Sequence, residues 1–569
     1  MTSKHPLLNK PDATPAIAAS LAIAAFASIG LGLVLYLLAP PNGWYHGTPF
    51  TLDLKELFVL WTDTWSSATP VSDIGSIAKL LLHLISWPCS LLAERGVLTP
   101  FAIYFATTAV AGGACGRIVF KAVIKGLPPV RRVTTTIGSE PRYGKYGARH
   151  INEAWLDRLV AEGKGIFLAP GVAMPRGVET EHLATIGTTG SGKSTIVDGL
   201  LLQGINRGNR ALVVDVKGDA MGRFGSEHSV EISLGSQNKT IWRIGWDILN
   251  RQDAFELAAI MIPASKDPIW SDGARLYVTG IMVALQKTRG TDWGWTELKE
   301  YLAEPFETQE QLIRKHMPDI VQLLQTKDGV PTATVMSILV TVVANVGALA
   351  WTLAEAERSS GRGISLRAWA RGTIVERVIF LRLEYDRENQ SAALLKLALR
   401  CVQSTLLSVA TANNVDHEIW IGLDELPRFC DEVTVERLVA LGRSRGVRIV
   451  AALQTPAQLR KVVGDDATAS LLANFGIQIV SRVAPGPGRV EIARQWFGER
   501  TVTWESAAAK GTSTPEEHDK IIPVLSENEL SSRLGKFYSA LGRPFIRAAV
   551  TGFEYVPILD WPVGWADRL

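Results

Sequence analysis

The sequence predicts an α/β protein: a mostly parallel sheet with helices on both faces, interrupted by an all-α insertion and preceded by a two-helix membrane domain. Three observations carry this expectation. From about residue 131 onward, short β-branched runs alternate with amphipathic segments. From about 254 to 356 the periodicity is helical, with almost no strand signal. Two long segments, nearly free of charge, fall within the first 130 residues.

The membrane segments come first along the chain. Hydrophobic residues make up 47% of the 569 and charged residues 20%. Mean hydropathy is +0.13, high for a wholly water-soluble chain. Residues 16–39 carry no charge and are bracketed by Pro15 and Pro40; roughly 20 such residues cross a hydrocarbon core as a helix. A second apolar stretch, about 97–120, contains Phe101, Ile103, Phe105 and Val110. Lys121, Lys125, Arg131 and Arg132 follow it, and Lys4 and Lys10 precede the first helix. An excess of Lys and Arg marks the cytoplasmic side, so both termini are expected in the cytoplasm and the loop 41–96 outside. Within that loop, residues 77–92 read as an interfacial or packing helix.

Composition also excludes some classes. The net charge is only +3, so any contact with nucleic acid has to come from local basic patches. The cysteines, Cys89, Cys115, Cys401 and Cys430, form no CxxC or Cys/His cluster. Neither a zinc site nor a disulfide framework is indicated.

In the soluble body, residues 212–215, 378–383, 419–423, 448–453 and 477–483 read as buried strands. Strands separated by helices imply a parallel sheet covered on both faces. Helical periodicity over 274–286, 309–324 and 333–356 defines the insertion. The expected division is a membrane domain over 1–130, a nucleotide-binding domain over 131–253 and 357–569, and an all-α domain over 254–356. The stretch after about Thr503 reads as irregular.

The chemistry centres on Gly187-Thr188-Thr189-Gly190-Ser191-Gly192-Lys193-Ser194-Thr195, which fits G-x-x-x-x-G-K-[ST]. Residues 182–186 supply the strand before it and 195–205 the helix after it. Glycines let backbone N–H groups wrap phosphates, and the helix N-terminus adds positive potential. Lys193 is expected to reach the β- and γ-phosphates of ATP, and the Ser194 hydroxyl to hold Mg²⁺.

A second apolar strand ends in Asp424 and Glu425. In a phosphate-loop hydrolase, Asp424 would hold the hydrated Mg²⁺ and Glu425 would polarise the attacking water. The alternative is that one of them caps a helix starting near Pro427. Asp215, in Val214-Asp215-Val216-Lys217-Gly218-Asp219, stands either near the nucleotide or in a strand-end turn. Gln454 follows the next strand, at the sheet edge where ligands bind in open α/β folds, and can sense a γ-phosphate. Arg443 and Arg445, in Gly442-Arg443-Ser444-Arg445-Gly446, offer an arginine finger for a neighbour's nucleotide, Arg443 first. Their other reading is a solvated basic helix end.

These motifs, in this order, resemble those of the type IV secretion coupling proteins in the TraD/TrwB branch. The residues carrying the resemblance are the run from Glu179 through the phosphate loop, Asp215–Asp219, Trp246-Asp247-Ile248-Leu249-Asn250, Gly363-Ile364-Ser365-Leu366-Arg367, Leu423–Pro427, the segment from Gly442 to Leu459, and Asn474-Phe475-Gly476. The resemblance covers about residues 140–500. It implies a RecA-like nucleotide-binding domain, a membrane-distal all-α domain and a homo-hexameric ring in the bacterial inner membrane. It implies ATP hydrolysis that drives single-stranded DNA, with duplex as the alternative, toward a type IV secretion channel. A relaxase bound to that DNA, and the channel proteins, are the implied partners. Lys193, Ser194, Asp424, Glu425 and Gln454 fall on the family's motif positions. The competing readings are a receptor for exported protein effectors and a chromosome-segregation pump of the FtsK kind. No LSGGQ-type signature supports an ABC transporter.

Overall fold

The computed structural model describes residues 132–565, apart from 236–239, 328–329, 360–361, 409–416, 430–434 and 506–516. The two expected membrane helices, and the loop between them, lie outside the described residues. The chain divides into two units. The smaller comprises residues 1–136 and 502–520; its described part belongs to a three-stranded sheet of Arg132–Ile137, Glu499–Glu505 and Glu517–Pro523.

The larger unit is built on an eleven-stranded sheet. Its strands, in chain order, are β1 (Pro141–Tyr143), β2 (Leu183–Ile186), β3 (Arg210–Asp215), β4 (Ser229–Ile232), β5 (Val378–Arg382), β6 (Ile419–Leu423), β7 (Val447–Leu453), β8 (Ile477–Val480), β9 (Gly535–Tyr538), β10 (Pro544–Val550) and β11 (Val556–Pro562). The spatial order is β1-β11-β10-β8-β2-β7-β6-β3-β5-β4, with β9 paired to β10. Every pairing from β8 to β4 is parallel. All of β2, β6 and β7 is buried, as expected where helices cover both faces and the strands become continuous apolar runs.

Alternation along the strands splits the core in two. Leu212, Val214, Ile379, Leu381, Ile419 and Ile421 face one cluster. Ala211, Val213, Phe380, Trp420 and Val450 face the other. The first cluster takes in helices from residues 251–359, through Leu257, Ile281, Met282, Leu349 and Leu353. The second takes in the helix Lys193–Asn206 and the hairpin Lys164–Ala169/Val172–Pro175. On that face Trp420 packs over Gly204, where a Cβ would collide with the indole. Its Nε1 donates to Asn209 Oδ1 at 3.1 Å.

Between 251 and 359 the elements are helices and one two-residue ladder, Thr326–Lys327 with Val330–Pro331. Their starts carry the expected caps: Asn250 Oδ1 accepts from Asp253 N at 2.9 Å, and Asp267 precedes Pro268 at the first helical position. Among the described residues, Ala333–Ser359 is the one helical run long and apolar enough to cross a membrane. A π-turn, Val343–Gly347, interrupts it, and Val335, Ile338, Val342, Val346, Leu349 and Leu353 are buried.

The expectation of an irregular stretch after Thr503 is corrected. β9, β10 and β11 extend the parallel sheet with antiparallel strands, β10 pairing Val550 with Ile479 and Ala549 with Val480. Pro544, Pro557 and Pro562, with Gly535 and Gly542, break up the apolar alternation that signals a strand. Gly535 and Pro544 stand first in their strands and Pro562 last in its own, positions where such residues are tolerated.

Candidate nucleotide site

The site is assembled where β2, β6, β7 and β3 end. β2 passes into the phosphate loop, and Gly190 and Gly192 adopt left-handed backbone (φ +74° and +96°) that side chains resist. Neighbouring strands clamp the loop: Gly187 N donates to Leu453 O at 3.2 Å and Thr188 N to Arg482 O at 2.8 Å. Ser481 Oγ donates to Ser191 O at 2.7 Å. The helix Lys193–Asn206 then starts beneath it.

Lys193 is buried, and its ammonium donates to Gly187 O at 2.7 Å and Thr188 O at 3.2 Å. Burial pulls its pKa down, while the nearby carboxylates of Glu425 and Asp424 hold it up in part. From the adjacent strand end, Asp424 Oδ1 accepts from Ser194 Oγ at 3.1 Å. Burial raises the Glu425 pKa against the opposing hydrogen bond from Gln454 and the charge of Lys193. A cavity of about 480 Å³ is lined by Thr189, Gly190, Lys193, Ser194, Thr195, Asp424, Glu425 and Gln454. The predicted residues from three separate segments therefore meet in one place.

Neither Asp215 nor Arg443 lines this cavity. Asp215 serves the turn: its Oδ1 accepts from Lys217 N (3.1 Å) and Gly218 N (2.8 Å), and its Oδ2 from Ala220 N (2.7 Å). Arg443 is not brought to the cavity of its own chain. It lies on the short turn Gly442–Arg445 before β7, at the opposite sheet edge, with Glu181 Oε1 at 3.3 Å. Arg445 shares that turn.

Lys217 was missed by the sequence reading. Its Nζ lies 2.6 Å from Ser194 Oγ and 3.6 Å from Asp424 Oδ2. The signal was available in principle, because β3 neighbours β6 and the residues following each strand must lie side by side. The wall from β9 to β11 was also missed: Lys536, Ile546 and Val563 line the same cavity.

Lys217 shows that a cation is accepted between the Ser194 hydroxyl and the Asp424 carboxylate. Both donors are hard oxygens, the kind Mg²⁺ takes. Among the described residues, no group of three or more His, Cys, Asp or Glu side chains is arranged to hold a metal. A Mg²⁺ ion beside bound phosphates and waters takes only one or two protein oxygens.

The far edge of the sheet holds a different arrangement. Glu179, fully buried, accepts from Arg207 (2.9 and 2.8 Å) and from Arg448 Nε (2.7 Å). A second structural joint explains two of the resembling runs. Asp247 accepts from Trp242 Nε1 and Leu366 N, each at 2.7 Å, and from Ser365 Oγ. Arg367 returns to Asp247 O at 2.8 Å. Residues 246–250 and 363–367 are thus locked together through buried Asp247.

Coupling protein TraD of Escherichia coli (strain K12) is 20% identical over 332 residues, 57% of this chain and 45% of that protein. The chain thus spans about half the length of the curated relative it matches. The bacterial conjugative coupling protein TrwB, in its unbound monoclinic form, is 21% identical with a TM-score of 0.59, covering 77% of this chain and 95% of that one. TrwB in complex with ADP and Mg²⁺ gives 20% and 0.57, over 75% and 94%. At these identities the structures show a shared fold. Residues 167–528, which contain the phosphate loop, the Asp424–Glu425 pair and Gln454, match the model of the type IV secretion-system coupling protein DNA-binding domain, and the chain belongs to that family.

Proposed function

We propose that this protein is a membrane-anchored ATPase that recruits a relaxase–DNA substrate and drives single-stranded DNA through a type IV secretion channel during conjugation. The observation that carries the reading is the convergence of Lys193, Ser194, Asp424, Glu425 and Gln454 on one cavity. TrwB, of the same fold, binds ADP and Mg²⁺, which supports the same ligands here. Lys193 and the loop N–H groups would hold the β- and γ-phosphates. Ser194 and Asp424 would hold Mg²⁺, which supplies charge neutralisation for the phosphates. Glu425, its pKa raised by burial, would take a proton from water, since a base works best with a pKa near the working pH. Gln454 holds that carboxylate in place and is the contact through which a γ-phosphate would be felt.

The division into a membrane domain (1–130), a RecA-like domain (131–253, 357–569) and an all-α domain (254–356) belongs to the same proposal, as does inner-membrane placement with cytoplasmic termini. A homo-hexamer fits the position of Arg443: at the sheet edge opposite its own site, it is free to serve a neighbour's site across a head-to-tail interface. Such a ring also lets a chain of net charge +3 grip DNA, because a few basic residues repeat around one pore. The test is ATP turnover of the purified protein, titrated in concentration with and without single-stranded and duplex DNA. Turnover per subunit should rise with concentration and with DNA, and DNA stimulation should fade with salt. A specific activity flat in concentration and indifferent to DNA would sink the motor reading and leave a receptor for exported proteins.

A further inference from the structure

We infer that Lys217 is a tethered cation that competes with the divalent metal for Ser194 and Asp424, and so sets how much Mg²⁺ the site needs before it takes nucleotide. The inference rests on the nucleotide reading above and deepens it. Lys217 Nζ is 2.6 Å from Ser194 Oγ, and Asp424 Oδ2 is 3.6 Å away. Ser194 Oγ also reaches Asp424 Oδ1 at 3.1 Å. One hydroxyl and one carboxylate therefore already share an ammonium. A dication taking the same two oxygens would stand against that ammonium at short range, where like charges repel strongly. The two cations exclude each other at this point.

The loop is built so that only the side chain need move. Asp215 pins the backbone through Lys217 N, Gly218 N and Ala220 N. Gly218 adopts φ +76°, the left-handed turn that closes the loop. The Lys217 side chain is half exposed, so its stem can swing away while its anchor stays. When metal takes Ser194 and Asp424, the displaced ammonium remains within a side chain's reach of the phosphates, whose oxygens can receive it. Competition for shared ligands is a coupling between sites, and such couplings run from about fivefold upward.

The experiment uses the full chain in detergent micelles, a fluorescent ADP analogue as ligand, and Mg²⁺ as the titrant. Lys217→Met and Lys217→Gln should each lower the Mg²⁺ concentration for half-maximal nucleotide binding by about fivefold. Lys217→Arg keeps the charge and should track the wild type. Lys315→Met removes an exposed lysine on the helix Phe306–His316, away from the cavity lining, and should leave the Mg²⁺ requirement unchanged. An unchanged or higher requirement in Lys217→Met and Lys217→Gln overturns the inference while leaving nucleotide binding intact. So does an equal shift in Lys315→Met or Lys217→Arg. A wild-type protein that binds no ADP analogue at any Mg²⁺ concentration overturns the nucleotide reading and this inference with it.

Discussion

Ile546 packs so closely on Gly192 that no Cβ fits between them: three carbons of the isoleucine side chain lie where a methyl group would go. Gly192 also holds φ +96° at the head of the phosphate-loop helix. The loop is therefore shaped from two sides, by its own glycines and by strand β10.

Gly192→Ala should cost about 1–3 kcal/mol, from left-handed strain and from overpacking, and should abolish nucleotide binding. Adding Ile546→Ala relieves the collision but not the strain. The double variant should melt higher than the sum of the two single losses predicts, a non-additivity expected of touching residues. Thermal unfolding of the four proteins checks this.

Lys193→Ala should reduce ATP turnover by at least about 100-fold, the scale seen when a charge that stabilises a transferring group is removed. Membrane insertion should be unaffected. Turnover at the wild-type rate in the purified variant would refute the assignment.

Glu425→Gln should still bind nucleotide, because the amide keeps the shape beside Gln454, but it has no carboxylate to take the water's proton. Binding and turnover are measured on the same preparation. Turnover surviving within about twofold would mean that the base lies elsewhere.

Glu179 gives a pH prediction. Burial alone would raise its pKa, but Arg207 and Arg448 more than offset this, and the net shift is downward. A carboxylate depressed in the folded state contributes stability that is complete above its unfolded titration, near about 4.3, and is lost as pH falls through the lower folded value. Glu179→Gln reduces Arg207 and Arg448 to their longer pairings with Glu418, at 3.5 and 3.3 Å, and should cost about 3–5 kcal/mol at neutral pH. The gap between variant and wild type should narrow below about pH 4. Denaturant melts across pH give the answer; a gap constant with pH would assign the loss to packing.

Arg443→Ala should leave nucleotide binding intact while removing both the concentration dependence and the DNA stimulation of turnover. The residue faces away from its own cavity, so a defect in single-subunit nucleotide binding would contradict the role across an interface. Loss of the Glu181 pair itself should matter little, since exposed ion pairs contribute about 0–1 kcal/mol.

How far the sequence could be read followed from the range of the interactions. β6 was located to the residue, because a buried parallel strand is a continuous apolar run. The site from Lys193 to Gln454 was readable because each part sits at a strand end, and strand ends in a parallel sheet meet. Lys217 was not legible because the run offers a more obvious ligand in Asp215, whose carboxylate instead bonds its own turn. β9 to β11 escaped because proline and glycine hide short antiparallel strands, and β8, through which β10 joins them to the parallel strands, lies far away in sequence. The separation of Asp247 from Ser365 likewise concealed that two distinctive runs form a single lock.

The contact between Gly192 and Ile546 also sets an order of events during synthesis. The phosphate loop leaves the ribosome roughly 350 residues before the strand that walls it, a delay on the order of half a minute at bacterial elongation rates. Once β8 is made, about 64 residues before β10 begins, one of its edges stays unpaired until β10 arrives, open to any strand that meets it. Nucleotide competence is thus acquired last, and a nascent chain stalled before β10 is a protein with the complete phosphate-loop motif but without the wall that shapes it.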